Sequence, residues 1–112
     1  MLIWIIKIRS KDGQALVKKY FNGQASGILS FGIKGGIEGG TKFIDALNLV
    51  VRLVNIGDAK SLACHPATTT HRQLSKEEQA TAGVSDDLVR LSIGIEHIDD
   101  ILEDIEQALN KV

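Results

Sequence analysis

"DLVRLSIGIEHIDDILEDIEQAL", residues 87–109, changes its apolar period midway, and that change decides the fold class. Up to residue 95 the pattern alternates. Val89, Leu91, Ile93 and Ile95 share one face, and Leu88, Arg90, Ser92 and Gly94 share the other, as a half-buried strand requires. From residue 98 the spacing becomes helical. Ile98, Ile101, Leu102, Ile105, Ala108 and Leu109 form one stripe, and acids fill the opposite side. Asp99 and Asp100 in the first turn and Lys111 near the last suit the helix dipole. A strand with a core face, followed at once by an amphipathic helix, starts an α+β reading.

Working back from residue 87, "SKEEQATAG" (75–83) carries a capping box, Ser75-x-x-Glu78, and a glycine stop at Gly83, so a short helix is expected. "ATTTHRQL" (67–74) has no period and reads as loop. Residues 61–64 read as a short strand after a turn, ending near Pro66, which cannot donate to a sheet ladder. "GIEGGTKFIDALNLVVRLVN" (36–55) places Phe43, Ile44, Leu47, Val50, Val51 and Val54 at helical spacing and predicts one long helix. Gly39 and Gly40 near its start lower helix propensity, so they are expected to serve close backbone approach.

Further upstream, "SGILSFGIKGG" (26–36) alternates and then stops at a glycine pair, as a strand would. "SKDGQALVKKYFNG" (10–23) predicts a helix capped by Asp12 and ended by Asn22-Gly23, with Leu16, Val17, Tyr20 and Phe21 on its buried face. "MLIWIIKI" (1–8) could add an edge strand. The expected fold is thus α+β: a small, mainly antiparallel sheet of three to four strands with helices covering one face.

Composition sets the outer bounds. A chain of 112 residues, 44% apolar and 24% charged, fits one soluble globular domain. A net charge of −1 gives no sign of a nucleic-acid or membrane-surface partner. Residues 1–56 carry eight Lys/Arg against three Asp/Glu, and residues 57–112 carry five against eleven, so the two halves should attract within one domain. The opening apolar run is too short for a membrane span and has its charges on the wrong side for a secretory signal. One cysteine excludes an internal disulfide and fits a reducing compartment, so a cytoplasmic setting is expected.

Three constellations could carry chemistry. Cys64, His65 and His71 match no structural zinc spacing, and a strand would send Cys64 and His65 to opposite faces. Cys64 as a nucleophile would need a base and a positive environment, and a small buried side chain is the simpler reading. The glycines of "GIKGGIEGG" (32–40) fit neither a P-loop nor a dinucleotide fingerprint. Arg90 stands apart. Mid-strand and unable to lose its charge, it faces solvent, joins an internal ion pair, or clamps a carboxylate.

"NIGDAKSLACHPATTTHRQLSKEEQATAGVSDDLVRLSIGIEHIDDILEDIEQAL" (55–109) resembles the C-terminal end of the pyridoxal-phosphate (PLP) enzymes of cysteine and methionine metabolism. The likeness runs over about residues 13–110, leaving 1–12 as an atypical segment. "LSFGIKGG", "NIGDAKSL" and "THRQLSKEEQ" are similar to the versions in the O-acetylhomoserine sulfhydrylase subgroup, and the lyases usually carry serine where Asn55 stands.

The resemblance implies that Arg90 binds the α-carboxylate of an amino-acid substrate and that Asn55 lies beside it. It implies an active-site entrance near His65, Thr69 and His71. It also implies that the Schiff-base lysine and the phosphate-binding groups belong to a cofactor domain that this chain lacks; Lys42, after Thr41, falls in the first long helix and is not that lysine. PLP is accordingly expected in the complete enzyme, with no cofactor, catalytic residue or metal on this chain alone. The partners implied are the cofactor domain and further copies of the enzyme. A split enzyme or a stand-alone assembly module is the alternative.

Overall fold

The computed structural model describes residues 11–24 and 26–112, with side chains from Gln14 onward; the possible edge strand of residues 1–8 lies outside them. Helix α1 (Lys11–Phe21) leads to strand β1 (Ile28–Gly32) and helix α2 (Gly36–Ala46). Strands β2 (Val51–Arg52) and β3 (Leu62–Cys64) follow, then a 3-10 turn (Pro66–Thr68), α3 (Lys76–Thr81), β4 (Leu88–Ser92) and α4 (Ile98–Leu109). The four strands form one sheet in the order β1-β4-β3-β2. β4 runs antiparallel to both its neighbours, and the short β2 adds parallel to β3. The α+β expectation therefore holds, with one parallel pairing at the edge.

Register explains where the core sits. Leu29 pairs with Leu91, Phe31 with Val89 and Ala63 with Leu91, so these residues share one face. Val89, Leu91, Ala63 and Phe43 of α2 lie in one buried cluster with Ala108 of α4. Phe31 meets Phe43 edge-to-face, with ring centroids 5.7 Å apart and planes at 84°, a favoured aromatic geometry. Helices α2 and α4 thus cover the Val89/Leu91 face, as the alternation in β4 requires.

The capping box behaves as its sequence demands. Ser75 Oγ accepts the Glu78 N–H, the Glu78 carboxylate accepts the Ser75 N–H, and Gly83 closes the segment at φ +74°. Asn22 (φ +52°) and Gly23 (φ +80°) end α1 as expected. Asp12 falls inside α1 rather than ahead of it.

Four expectations need correction. Helix α2 stops at Ala46, and the run expected to continue it to residue 55 turns extended at Leu47 and becomes β2. The reason is a competitor for its backbone. Asp104 of α4 accepts hydrogen bonds from the N–H groups of Asn48, Leu49 and Val50, donors that a longer helix would need for itself. Asp104 is itself the second correction, since it is buried rather than on the solvent side of α4.

Third, α1 does not bury its apolar face. Leu16, Tyr20 and Phe21 are exposed, because α2 and α4 already fill the covered side of the sheet. Fourth, Ile95 is not core: β4 ends at Ser92, and Ile95 is 86% exposed. The charge asymmetry also has a different outcome. Among the described residues no ion pair joins the two halves; Lys42 pairs with Glu38, Arg52 with Asp45 and Lys76 with Asp86, each within its own half. Among the described residues no helix is long and apolar enough to cross a membrane.

Candidate functional site

Arg90 lies in the middle of β4, on the face opposite the helices, with Cys64 of β3 directly across on one side and Ser30 of β1 on the other. Flanked by a strand on each side, β4 gives its arginine a fixed base. The guanidinium Nη2 donates to the carbonyl of Val54 at 2.5 Å. Its Nε is buried and has no partner among the described residues. Among the described residues no carboxylate pairs with Arg90, which removes the internal ion pair from the open readings.

The Val54 carbonyl belongs to the peptide unit that also contains the Asn55 nitrogen. The two residues expected to share a ligand, 35 positions apart in sequence, are therefore linked through one peptide. Asn55 is exposed and lies in a stretch, residues 51–60, that is exposed throughout. A half-buried guanidinium on a rigid strand can take a carboxylate on its free donors.

The entrance-loop candidates have other employment. His65 is buried, with Nε2 2.8 Å from the Asp86 carbonyl and Nδ1 2.9 Å from Thr68 Oγ1. A carbonyl only accepts, so Nε2 carries the proton. The ring also lies over Gly40 of α2, where an added Cβ would come within 2.6 Å of it. Thr69 donates its hydroxyl to the His65 carbonyl at 2.7 Å. The His71 carbonyl accepts from the buried Gln79 amide at 2.8 Å, and its ring pairs with Thr70. These contacts shape the loop from inside; of the three candidates, Thr69 and the half-buried His71 present surface to solvent.

Cys64 and His65 do point to opposite faces, the first toward Arg90 and the second toward α2. Cys64 is almost fully buried. Burial pushes its thiol pKa up, and the neighbouring Arg90 charge offsets this only in part. Among the described residues no three His, Cys, Asp or Glu side chains converge as a metal site would require.

Two carboxylates missed by sequence reasoning border the Asn55 stretch. Asp104 gathers the three backbone N–H groups named above at 2.8–2.9 Å, and Gln107 adds a fourth donor at 3.0 Å. Burial pushes its carboxyl pKa up, but these donors outweigh burial and hold it below the usual range. Glu96 accepts the Ser61 N–H at 2.6 Å and the Ser61 hydroxyl at 2.7 Å. For Glu96 too, burial raises the pKa and the Ser61 donors prevail, leaving it lowered. An acid at position 104 reads as one more polar residue on an acidic helix face, so period alone carries no signal for it.

The cofactor implied by the resemblance needs a lysine amine aimed into a site and a carboxylate free for its ring nitrogen. Each lysine whose side chain is described is exposed, and Lys42 forms a surface pair with Glu38 at 2.9 Å. The buried Asp104 carboxylate is surrounded by its own backbone donors. The described residues therefore do not fit PLP by themselves.

The family described as Cys/Met metabolism PLP-dependent enzyme matches residues 5–110. The chain is 57% identical over 99 residues to an O-acetyl-L-homoserine sulfhydrylase of Leptospira meyeri, covering 88% of this chain and 22% of that protein. It is 52% identical over 92 residues to O-acetyl-L-homoserine sulfhydrylase 1 of Thermus thermophilus, covering 82% of this chain and again 22% of the relative.

A crystal structure of an O-acetylhomoserine (thiol)-lyase from Campylobacter jejuni, containing pyridoxyl-lysine-5'-monophosphate, superposes with a TM-score of 0.78 at 45% identity. It covers 86% of this chain and 23% of the solved one. The chain thus spans a little over a fifth of the length of these relatives. On its sequence and on its fold, the chain belongs to the family of PLP-dependent enzymes of cysteine and methionine metabolism.

Proposed function

We propose that this chain is the substrate-side domain of an O-acetylhomoserine sulfhydrylase-like enzyme and that it supplies the clamp for the α-carboxylate. Arg90 takes the carboxylate, and Asn55 contacts it from the side. Holding an amino acid by its unreactive end leaves the reacting carbons turned toward a cofactor carried elsewhere. That cofactor, when bound, supplies the electron sink for replacement of the γ-substituent. The observation that carries this reading is Arg90 itself: a permanent cation on a central strand, with a buried Nε and no carboxylate partner among the described residues. The exposed Leu16, Tyr20 and Phe21 of α1 support a further contact, in which the remainder of the enzyme or another copy covers that helix.

A chimaera tests the assignment. The chain is fused to the remainder of the Leptospira meyeri sulfhydrylase in place of that enzyme's matching segment. The fusion is expected to convert O-acetyl-L-homoserine and sulfide, and Arg90→Lys is expected to lower kcat/KM about 100-fold, roughly 3 kcal/mol, by breaking the planar two-point contact. An active chimaera whose kcat/KM is unmoved by Arg90→Lys and Arg90→Ala refutes the clamp. The isolated chain is expected to turn over no substrate, which the same assay checks.

A further inference from the structure

We infer that Asp104 and Glu96 are positioning residues for the Arg90–Asn55 pair, fastening the segment that carries Asn55 at its two ends. The inference rests on the clamp reading above for its function, but its geometry stands apart from it. Between Val50 and Ser61, both buried, every residue is exposed. Apolar burial therefore fixes residues 51–60 only weakly, and such a segment opens easily unless polar contacts hold it.

Those contacts sit at the ends. At the near end Asp104 Oδ1 accepts from Asn48 N, and Oδ2 accepts from Leu49 N and Val50 N. At the far end Glu96 takes both donors of Ser61, while Ser61 Oγ accepts the Gly94 N–H at 2.9 Å. Ser61 is fully buried, so the bonds at this end are shielded from water. Both carboxylates come from the chain that follows β4, one just before α4 and one within it. The strand that bears Arg90 and the element after it thereby hold the segment whose Val54 carbonyl Arg90 touches.

Inside the segment the ties are fewer. Val51 N donates to Ser61 O at 2.9 Å, Leu53 N donates to Ala63 O at 3.1 Å, and Ala59 O accepts from Ile95 N at 2.9 Å. Asn55 has none of these. Its place relative to Arg90 follows from the Arg90–Val54 contact one peptide away and from where the two anchored ends put the chain between them. Neither carboxylate touches Arg90 or Asn55, so each acts through the backbone.

The test is exchange of the Arg90 Nε–H proton with water, read by NMR on the full chain with Asp104→Asn and Glu96→Gln. Each amide replaces one accepting oxygen with an NH2 that aims donors at donors. Arg90 Nε–H exchange is expected to rise about tenfold in each variant, while the backbone amides of Val89 and Leu91 keep their protection.

An Arg90 Nε–H rate unmoved in either folded variant overturns the inference. So does an equal rise at Val89 and Leu91, which marks general loosening. Should Asp104→Asn fail to fold, Glu96→Gln decides alone, because the tie Glu96 makes to this segment runs through Ser61. Titration of O-acetyl-L-homoserine into the unaltered chain tests the clamp separately: the Arg90 Nε–H resonance is expected to shift. With no such shift the clamp reading fails, whereas the anchoring stands or falls on the exchange rates.

Discussion

Gly39 and Gly40 show at the residue scale how two small side chains set the site's framework. A Cβ on Gly39 would run into the Lys34 carbonyl, and one on Gly40 would press on the His65 ring. That ring is held on both nitrogens and cannot step aside. Alanine at a helical glycine ordinarily gains close to ~1 kcal/mol. Here Gly39→Ala and Gly40→Ala are each expected to lose about 1–3 kcal/mol instead, because overpacking exceeds the propensity gain. Urea midpoints of the two variants check this, and a midpoint above that of the parent chain contradicts it. The close approach was legible in the sequence as two glycines that a helix would not otherwise keep. The identity of what approaches was not, since His65 lies 25 positions away and enters by tertiary packing.

Among the elements, those defined by local chemistry were readable and those defined by distant partners were not. The Ser75/Glu78 box acts within four residues, and β4 and α4 follow from periods of two and 3.6. Helix α2 was overrun by eight or nine residues because Val50, Val51 and Val54 keep helical spacing by coincidence. The signal that ends it is Asp104, 56 positions downstream of Asn48, whose N–H it accepts. Arg90 stood out as a charge on a strand whose other face was core, yet its contact with the Val54 carbonyl depended on β2, which the helical reading had absorbed. At this scale Ser75→Ala is expected to cost about 1 kcal/mol by removing an N-cap. A thermal-midpoint comparison measures it, and no loss would show that tertiary packing alone keeps α3 in place.

For the whole molecule, the two halves are joined, beyond the sheet and the shared core, by a carboxylate on backbone N–H groups, with no ion pair between them among the described residues. That arrangement makes stability depend on acid. Asp104, Glu96 and Glu78 all have folded-state pKa values lowered by hydrogen bonds. A lowered carboxyl adds stability that is fully present above its unfolded value, about 4. The contribution is lost as pH falls through the folded value. The urea midpoint is therefore expected to stay level from about pH 7 to 5 and to drop below about pH 4. Asp104→Asn should flatten that acid limb, since a group that cannot ionise has no proton to take up. An acid limb unchanged by the substitution would remove Asp104 from this account.

The exposed stretch from residue 51 to 60 has a consequence for divergence as well as for binding. With its ends tied and no side chain fully buried, it is expected to accept changes of side chain with little repacking of the core. Replacement of Asn55 by serine is expected to leave the scaffold around it the same. A graft of these ten residues is expected to leave the strand that carries Arg90 untouched.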